Sequence, residues 1–390
     1  MSTATSPLRR ENIPQLNIVR ALCIIAVLCV HSTSFATEKL RDSNYFFLYN
    51  FVNIFMKYGT PSFIFLSSFV LFYNYFERPF TKSLIAGFYT KRLKYILVPY
   101  FMFSVLYYAI SYYLNNRDLS VIETLQHFGS QLLIGKAYTH LYFVFINAQF
   151  YLFFPLALWF LKKHPAVLKW CIPLGLAIQY GFVFMNKFYW QVKYPGSWMF
   201  SYMAYFLLGA FLGSYFPKIK QWLIASRENA TPGRVAFWIL LWAAWLTAAL
   251  NHVNIYYQSR LYGTVYNTTL YEFLWNAHTY LGTVVLLQIA FFIYRHVSPK
   301  LVKWISQLGA LSFGIYLLHP LFNLVYRANP VTSGNSMLVH LWYIGGFFFA
   351  LVCSWIVVGL VVRYVPFSWI IFGNSPAKKV KKGRCLTAII

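Results

Sequence analysis

The chain has 390 residues, 59% of them hydrophobic, 22% aromatic and only 11% charged, with a mean hydropathy of +0.54 and a formal net charge of +25. No soluble domain of this length can hide so much apolar surface, so composition excludes a water-soluble protein and leaves one that crosses the membrane many times. The basic residues lie mainly between apolar runs and in the tail, a pattern that sets topology and meets anionic headgroups rather than nucleic acid.

Backbone groups in hydrocarbon must be satisfied within a helix or a closed barrel. The apolar runs are long and continuous and do not alternate every second residue, which selects helices. The expectation is an all-α, polytopic helix bundle with about ten transmembrane helices. A polar cytoplasmic arm (residues 1–12, with Arg9 and Arg10) precedes a transmembrane domain (13–365), and a basic cytoplasmic tail (366–390) follows it.

Span 1 runs from Ile13 to Ser34 and carries Arg20 near its start and His31 near its end. Eleven residues at roughly 100° each bring both side chains to one helix face, about 16 Å apart along the axis. Ser34-Phe35-Ala36 has the form of a signal-peptidase site, but the apolar run is longer than a signal h-region, which favours a retained span. Span 2 covers about Phe46–Phe76, with a break expected at Gly59-Thr60-Pro61. A basic segment with Arg78, Lys82, Lys91, Arg92 and Lys94 leads to span 3, about Tyr95–Leu114. Leu119–Ile134 has the pattern of a short surface helix. Spans 4 to 10 follow at about Leu141–Leu161, Ala166–Phe184, Trp198–Tyr215, Val235–Asn251, Leu270–Tyr294, Leu308–Tyr326 and Leu338–Val362.

Ten spans return both ends to one side. That side receives Arg9 and Arg10, the Arg78–Lys94 cluster, Lys162 and Lys163, the Lys218–Arg234 linker, Arg295–Lys303 and the tail. The other side receives scattered cations such as Lys39, Arg41, Lys187, Lys193, Arg260 and Arg327. By the positive-inside rule both termini are cytoplasmic, with Arg20 towards the cytoplasm and His31 towards the outside of the plasma membrane. The five cysteines form no CxxC pair, so no disulfide framework and no metal site is expected.

Four stretches in this order resemble the acyltransferase 3 family of integral membrane O-acyltransferases. They are Arg20 with ten residues before His31; the basic run Phe88-Tyr-Thr-Lys-Arg-Leu-Lys-Tyr-Ile-Leu-Val-Pro99; His140-Leu-Tyr-Phe143 with Gln149-Phe-Tyr-Leu-Phe-Phe-Pro155; and Leu311-Ser-Phe-Gly-Ile-Tyr-Leu-Leu-His-Pro320. Within the family the style is nearest the intercellular-adhesion protein C type, described either as exopolysaccharide exporters or as O-acyl (succinyl) transferases. The sequence departs from the family in two places. Lys91 and Lys94 stand where an arginine pair is usual, and Ser67-Ser68-Phe69 replaces Ser-Gly-Phe.

The resemblance implies transfer of an acyl group from cytoplasmic acyl-CoA, a co-substrate rather than a tightly bound cofactor, to a hydroxyl of an extracytoplasmic or lipid-linked carbohydrate. Such chemistry needs a base near the attacking hydroxyl, donors for the carbonyl oxygen and cations for the donor's phosphates. His31 is the candidate general base; the competing reading is a packed histidine satisfied by a neighbouring hydroxyl or carbonyl. Arg20 is the candidate phosphate clamp, competing with snorkelling to headgroups. Lys91, Arg92 and Lys94 are candidates to steer coenzyme A. Glu272 is the candidate to orient an imidazole or bind a sugar hydroxyl, with Asn276 and His278 deeper on the same span. Tyr316 and His319, three apart on one face, are candidate substrate-binding residues. Glu38 and Asp42 read as solvated loop charges. The expected partners are acyl-CoA, a carbohydrate or glycolipid acceptor and membrane lipids. The rival function is a polysaccharide or lipid-linked sugar export component.

Overall fold

The computed structural model describes residues 11–115, 119–224, 226–331 and 336–374. Residues 1–10 of the arm, with Arg9 and Arg10, and residues 375–390 of the tail lie outside the described residues, while the first part of the tail carries a short helix. In chain order the helices are α1 (Gln15–Ser34), α2 (Ala36–Lys39), α3 (Phe46–Phe55), α4 (Gly59–Tyr75), α5 (Lys82–Arg92), α6 (Val98–Leu114), α7 (Val121–Leu133), α8 (Tyr142–Lys163) and α9 (Cys171–Met185). They continue as α10 (Met203–Ser214), α11 (Phe216–Leu223), α12 (Pro232–Tyr262), α13 (Thr268–His296), α14 (Pro299–Ala310), α15 (Ser312–Arg327), α16 (Ser336–Tyr364) and α17 (Trp369–Phe372). No strand occurs among the described residues. Eight helical stretches are long and apolar enough to cross a bilayer. Two further pairs, bent by 95° (Met199–Ser214 with Phe216–Leu223) and 71° (Pro299–Ala310 with Ser312–Arg327), bring the number to ten if each is one span.

Several boundaries differ from the sequence reading. The break in span 2 falls at Met56–Tyr58, not at Gly59-Thr60-Pro61. Pro61 sits in the first turn of α4, where no helical partner for its missing N–H is needed. The basic segment before span 3 is helical, and Lys82–Leu114 forms one 33-residue stretch. Pro99 cannot donate to the Tyr95 carbonyl, and just before it the ladder slips into a π-turn over Leu93–Leu97, where Val98 N–H bonds Leu93 O. Helix α12 runs to Tyr262, eleven residues beyond the expected end at Asn251. It starts on Pro232 and stops at Gly263 (φ +70°), the usual asymmetry of helix ends.

The helices form two compact units, each built from two chain segments: Met1–Gly87 with Phe145–Gly309, and Phe88–Val144 with Ala310–Ile390. In the first unit α1 packs against α3, α4 and α13, and none of its residues is exposed. Helix α12 is far less covered, with 17% of its most apolar window buried against 50% for α1, so α12 offers its side chains to lipid. The closest helix pairing in this unit is α4 with α10. Gly209 and Gly213, four apart, let the backbones touch: a Cβ on Gly209 would stand 2.7 Å from Phe65 O and Phe69 N, and one on Gly213 2.5 Å from Phe69 O. Ser68 Oγ donates to Phe206 O across the same seam at 2.6 Å. In the second unit α15 pairs with α16, and α17 packs on α6.

Replacing Gly213 with leucine inserts a side chain where a single Cβ already overlaps backbone. The expected cost exceeds the ~1–3 kcal/mol of ordinary overpacking and appears as loss of monodisperse protein on size-exclusion chromatography. Helix α7 carries a capping box: Ser120 Oγ bonds Glu123 N–H and Glu123 Oε2 accepts from Ser120 N–H at 2.9 Å. Hydrogen bonds from the Ser120 hydroxyl and then its amide hold the Glu123 carboxyl below the usual carboxylate range. The cap therefore contributes fully above the unfolded carboxylate pKa and is lost as pH falls through the lower folded value. Amide exchange at Ser120 and Glu123 is expected to accelerate over that acidic window.

Candidate functional site

Helix α1 carries the candidate pair. Arg20 is half-buried, and its Nη1 donates to Asn17 Oδ1, one turn earlier, at 2.7 Å. Tyr151 of α8 lies within its field, so the guanidinium faces protein. In the last turn of α1 side chains add second donors to carbonyls that already accept from the helix ladder. Thr33 Oγ1 donates to Cys29 O at 2.7 Å and Ser34 Oγ to Val30 O at 2.6 Å. Asn53 of α3, 2% exposed, reaches across to donate to Val30 O at 3.0 Å and Thr33 Oγ1 at 3.1 Å. His31, half-buried, sits inside this tethered turn.

The tether continues outward. Asn53 Oδ1 accepts from Arg260 Nη2 at 3.0 Å, and Asn50 Oδ1, one turn away on α3, accepts from Arg260 Nη1 at 3.0 Å. Asn50 is fully buried and donates to Val253 O at 3.1 Å. Sequence reasoning passed over Arg260 because it ended span 7 eleven residues too early and counted this arginine among loop cations. The available signal was Asn50 and Asn53, two amides three apart in an apolar run, which need partners when buried.

Glu272 stands in the first two turns of α13 and is exposed. Its carboxylate makes no hydrogen bond to an imidazole; the groups in its field are Tyr180, Tyr205 and Tyr256. One turn deeper, Asn276 Oδ1 accepts from Gln179 Nε2 at 2.6 Å and from Tyr205 OH at 3.3 Å, and Tyr205 OH also meets Thr279 Oγ1 at 2.6 Å. These bonds pin α9, α10 and α13 together. His278 and His252 are fully buried with their Nδ1 atoms 3.1 Å apart. With both rings neutral, one donates and the other accepts. Glu38 and Asp42 are exposed.

The other sequence-predicted residues belong to the second unit. Lys91 is exposed, while Arg92 and Lys94 are half-buried. Arg92 lies over Phe88 (5.5 Å to the ring centroid) and Lys94 over Trp369 at 4.3 Å. The π-turn re-aims Lys94 towards α17, where Gly373 (φ +67°) packs so near that a Cβ would be 2.4 Å from Tyr95 O, the carbonyl Pro99 cannot serve.

Tyr316 and His319 are brought together with His140, a residue that sequence reasoning left in a loop. Tyr316 OH donates to the His140 carbonyl, and the His140 ring centroid lies 5.4 Å from Tyr316 and 5.8 Å from His319. All three are buried. Pro320 interrupts the α15 ladder here, and two side chains repair it. His319 Nδ1 lies 2.8 Å from Tyr316 O, the carbonyl that Pro320 cannot bond. An Nδ1 facing a carbonyl is a donor, so the lone pair of a neutral His319 is on Nε2. Tyr107 OH donates to Leu317 O at 2.8 Å and accepts from Leu321 N–H at 3.2 Å, inserted into the rung between them.

An all-α fold of eight to ten apolar helices, with an arginine and an imidazole on a central helix, defines a polytopic integral membrane protein. The acyltransferase-domain family model matches residues 13–359, and the chain belongs to that family, acyltransferase 3. Curated relatives named probable poly-β-1,6-N-acetyl-D-glucosamine export protein, from Staphylococcus aureus strains MSSA476 and MW2, are 24% identical over 379 residues, covering 93% of this chain and 97% of theirs. A protein of the same name from Staphylococcus epidermidis is 23% identical over 324 residues, covering 80% and 81%. No solved structure matches the chain.

Removing the Tyr107 hydroxyl leaves two buried backbone groups of α15 without their bridge. Tyr107→Phe is expected to cost about 1–3 kcal/mol, read as a lower thermal midpoint in detergent.

Proposed function

We propose that the protein is an O-acyltransferase of the plasma membrane, with both termini cytoplasmic. It moves an acyl group of acetyl or succinyl type from cytoplasmic acyl-CoA to a hydroxyl of an extracytoplasmic or lipid-linked carbohydrate. The observation that carries this reading is α1 itself: a helix with no exposed residue holds an arginine and a histidine, and the turn bearing the histidine is tethered from a second helix. A charge or imidazole kept inside a membrane bundle is expensive and marks a working path. Membership of the acyltransferase family supports acyl transfer, and the relatives' printed names support a carbohydrate as the molecule acted on.

In this reading His31 takes the proton of the attacking hydroxyl as its oxygen bonds the thioester carbonyl carbon. The carbon–sulfur bond then breaks, and the coenzyme A thiolate leaves with the proton from the imidazolium. Arg20 holds an anionic part of the donor, and Lys91, Arg92 and Lys94 draw its phosphates from the cytoplasm. Lysine at 91 and 94 supplies charge without the bidentate fork of arginine, so these residues attract rather than orient. Glu272 is available to a sugar hydroxyl. Tyr316 and His319 are the residues assigned to substrate binding in this reading.

The second reading, export of a polysaccharide, is favoured by the printed names of the relatives. Purified protein in nanodiscs with labelled acyl-CoA and an oligosaccharide separates the two. Transfer is expected in the wild type and a fall of at least ~100-fold in His31→Ala, the lower range of general-base catalysis. Polymer export that persists in His31→Ala, with no acyl transfer by the wild type, establishes export instead. Arg20→Gln is expected to raise the KM for acyl-CoA about tenfold or more, the loss of one charge-assisted contact.

A further inference from the structure

Lys57 lies in the Met56–Tyr58 turn that breaks the second span, half-buried in the first unit. Its Nζ sits 4.3 Å from the centroid of the Tyr256 ring, and Arg260 Cζ lies 5.2 Å from the same centroid. The two cations are close enough to repel each other, and Arg41 adds to the positive field at Arg260. Neither has a counter-charge. Among the described residues Lys57 makes no hydrogen bond and no ion pair, and Arg260 bonds only the neutral amides of Asn50 and Asn53. Glu272 acts on the Tyr256 ring but forms an ion pair with neither.

An ammonium has three donors and no acceptor, and a ring face answers only part of its charge. Two such cations held together within an apolar bundle, with every protein partner neutral, are costly unless an anion joins them. We propose that Lys57 and Arg260 form an oxyanion subsite for the charged end of a substrate, a carboxylate or a phosphate. This rests on the reading of His31 as base, because Asn53 links the guanidinium to Val30 O and Thr33 Oγ1 on either side of that residue. The anion is therefore gripped beside the turn where the hydroxyl is activated. Its source is either the distal carboxylate of a dicarboxylic acyl group or the phosphate of a lipid-linked acceptor.

The test uses the full-length protein in nanodiscs. The donor arm compares succinyl-CoA with butyryl-CoA, which match in chain length and differ by the carboxylate. The acceptor arm compares a lipid-linked phosphoglycan with the same glycan lacking phosphate. In one arm the wild type is expected to favour the anionic member at least about tenfold in kcat/KM, as a site with otherwise unpaired polar groups does. Lys57→Met brings that ratio to within about twofold of one, and Lys57→Arg restores it, because charge and not packing sets the preference. Lys57→Gln serves as the second neutral variant if Lys57→Met fails to fold. Thermal stabilisation by succinate over butyrate, and by pyrophosphate over chloride, gives a readout independent of turnover. If no donor is transferred yet Lys57-dependent stabilisation is present, the subsite stands and the transferase reading falls. If the wild type discriminates in neither arm, or if the preference survives both neutral variants, the subsite is overturned.

Discussion

A peptide group in hydrocarbon has no water to fall back on, and this protein is shaped by finding a partner for each one that a proline or a helix end leaves over. In the last turn of α1, whose carbonyls already accept from the helix, Thr33, Ser34 and Asn53 add second donors. At Pro320 they are the ring of His319 and the hydroxyl of Tyr107. At Pro99 the ladder slips into a π-turn, where Val98 N–H bonds Leu93 O. The repair at Pro320 brings polar side chains to a fixed place inside the bundle. Backbone satisfaction and site construction are thus the same event, and the residues proposed for chemistry stand next to the repairs.

The first unit shows how this concentrates function on one helix. The apolar stripe of α1 is covered by α3, α4 and α13. Its arginine and histidine are held near surfaces they share with other helices, Arg20 near α8 and His31 in the turn tied to α3. The second unit holds a different assembly, the clustered rings of Tyr107, Tyr138, His140, Tyr316 and His319, in which Tyr107 stacks on Tyr138 and the others meet edge-on or tilted.

Fold class and most spans were legible because long apolar runs admit one solution in lipid. That Arg20 and His31 fall on one unbroken helix was legible because the apolar run between them is continuous. Boundaries were misjudged where polar residues entered a helix: Asn251 and His252 read as an ending, yet α12 continues because His252 meets His278 and Asn50 meets the Val253 carbonyl. The basic run before span 3 read as a loop, although no residue in Lys82–Arg92 opposes a helix other than Gly87. That early ending also left Arg260 in a loop, and a second cause hid both Arg260 and Lys57. Their partners lie about two hundred residues away in sequence, and such pairings follow from packing, which local pattern does not carry. His140 was hidden in the same way by its carbonyl bond to Tyr316.

The glycine seam between α4 and α10 has a steric meaning. At Gly209 and Gly213 main chain meets main chain, which leaves no room at these two positions for a larger residue. The short Met56–Tyr58 turn leads into this packed pair, and its middle residue is the lysine resting on Tyr256. The break in the second span and the cation on the aromatic ring thus fall on one residue, which ties the course of the chain to the local charge.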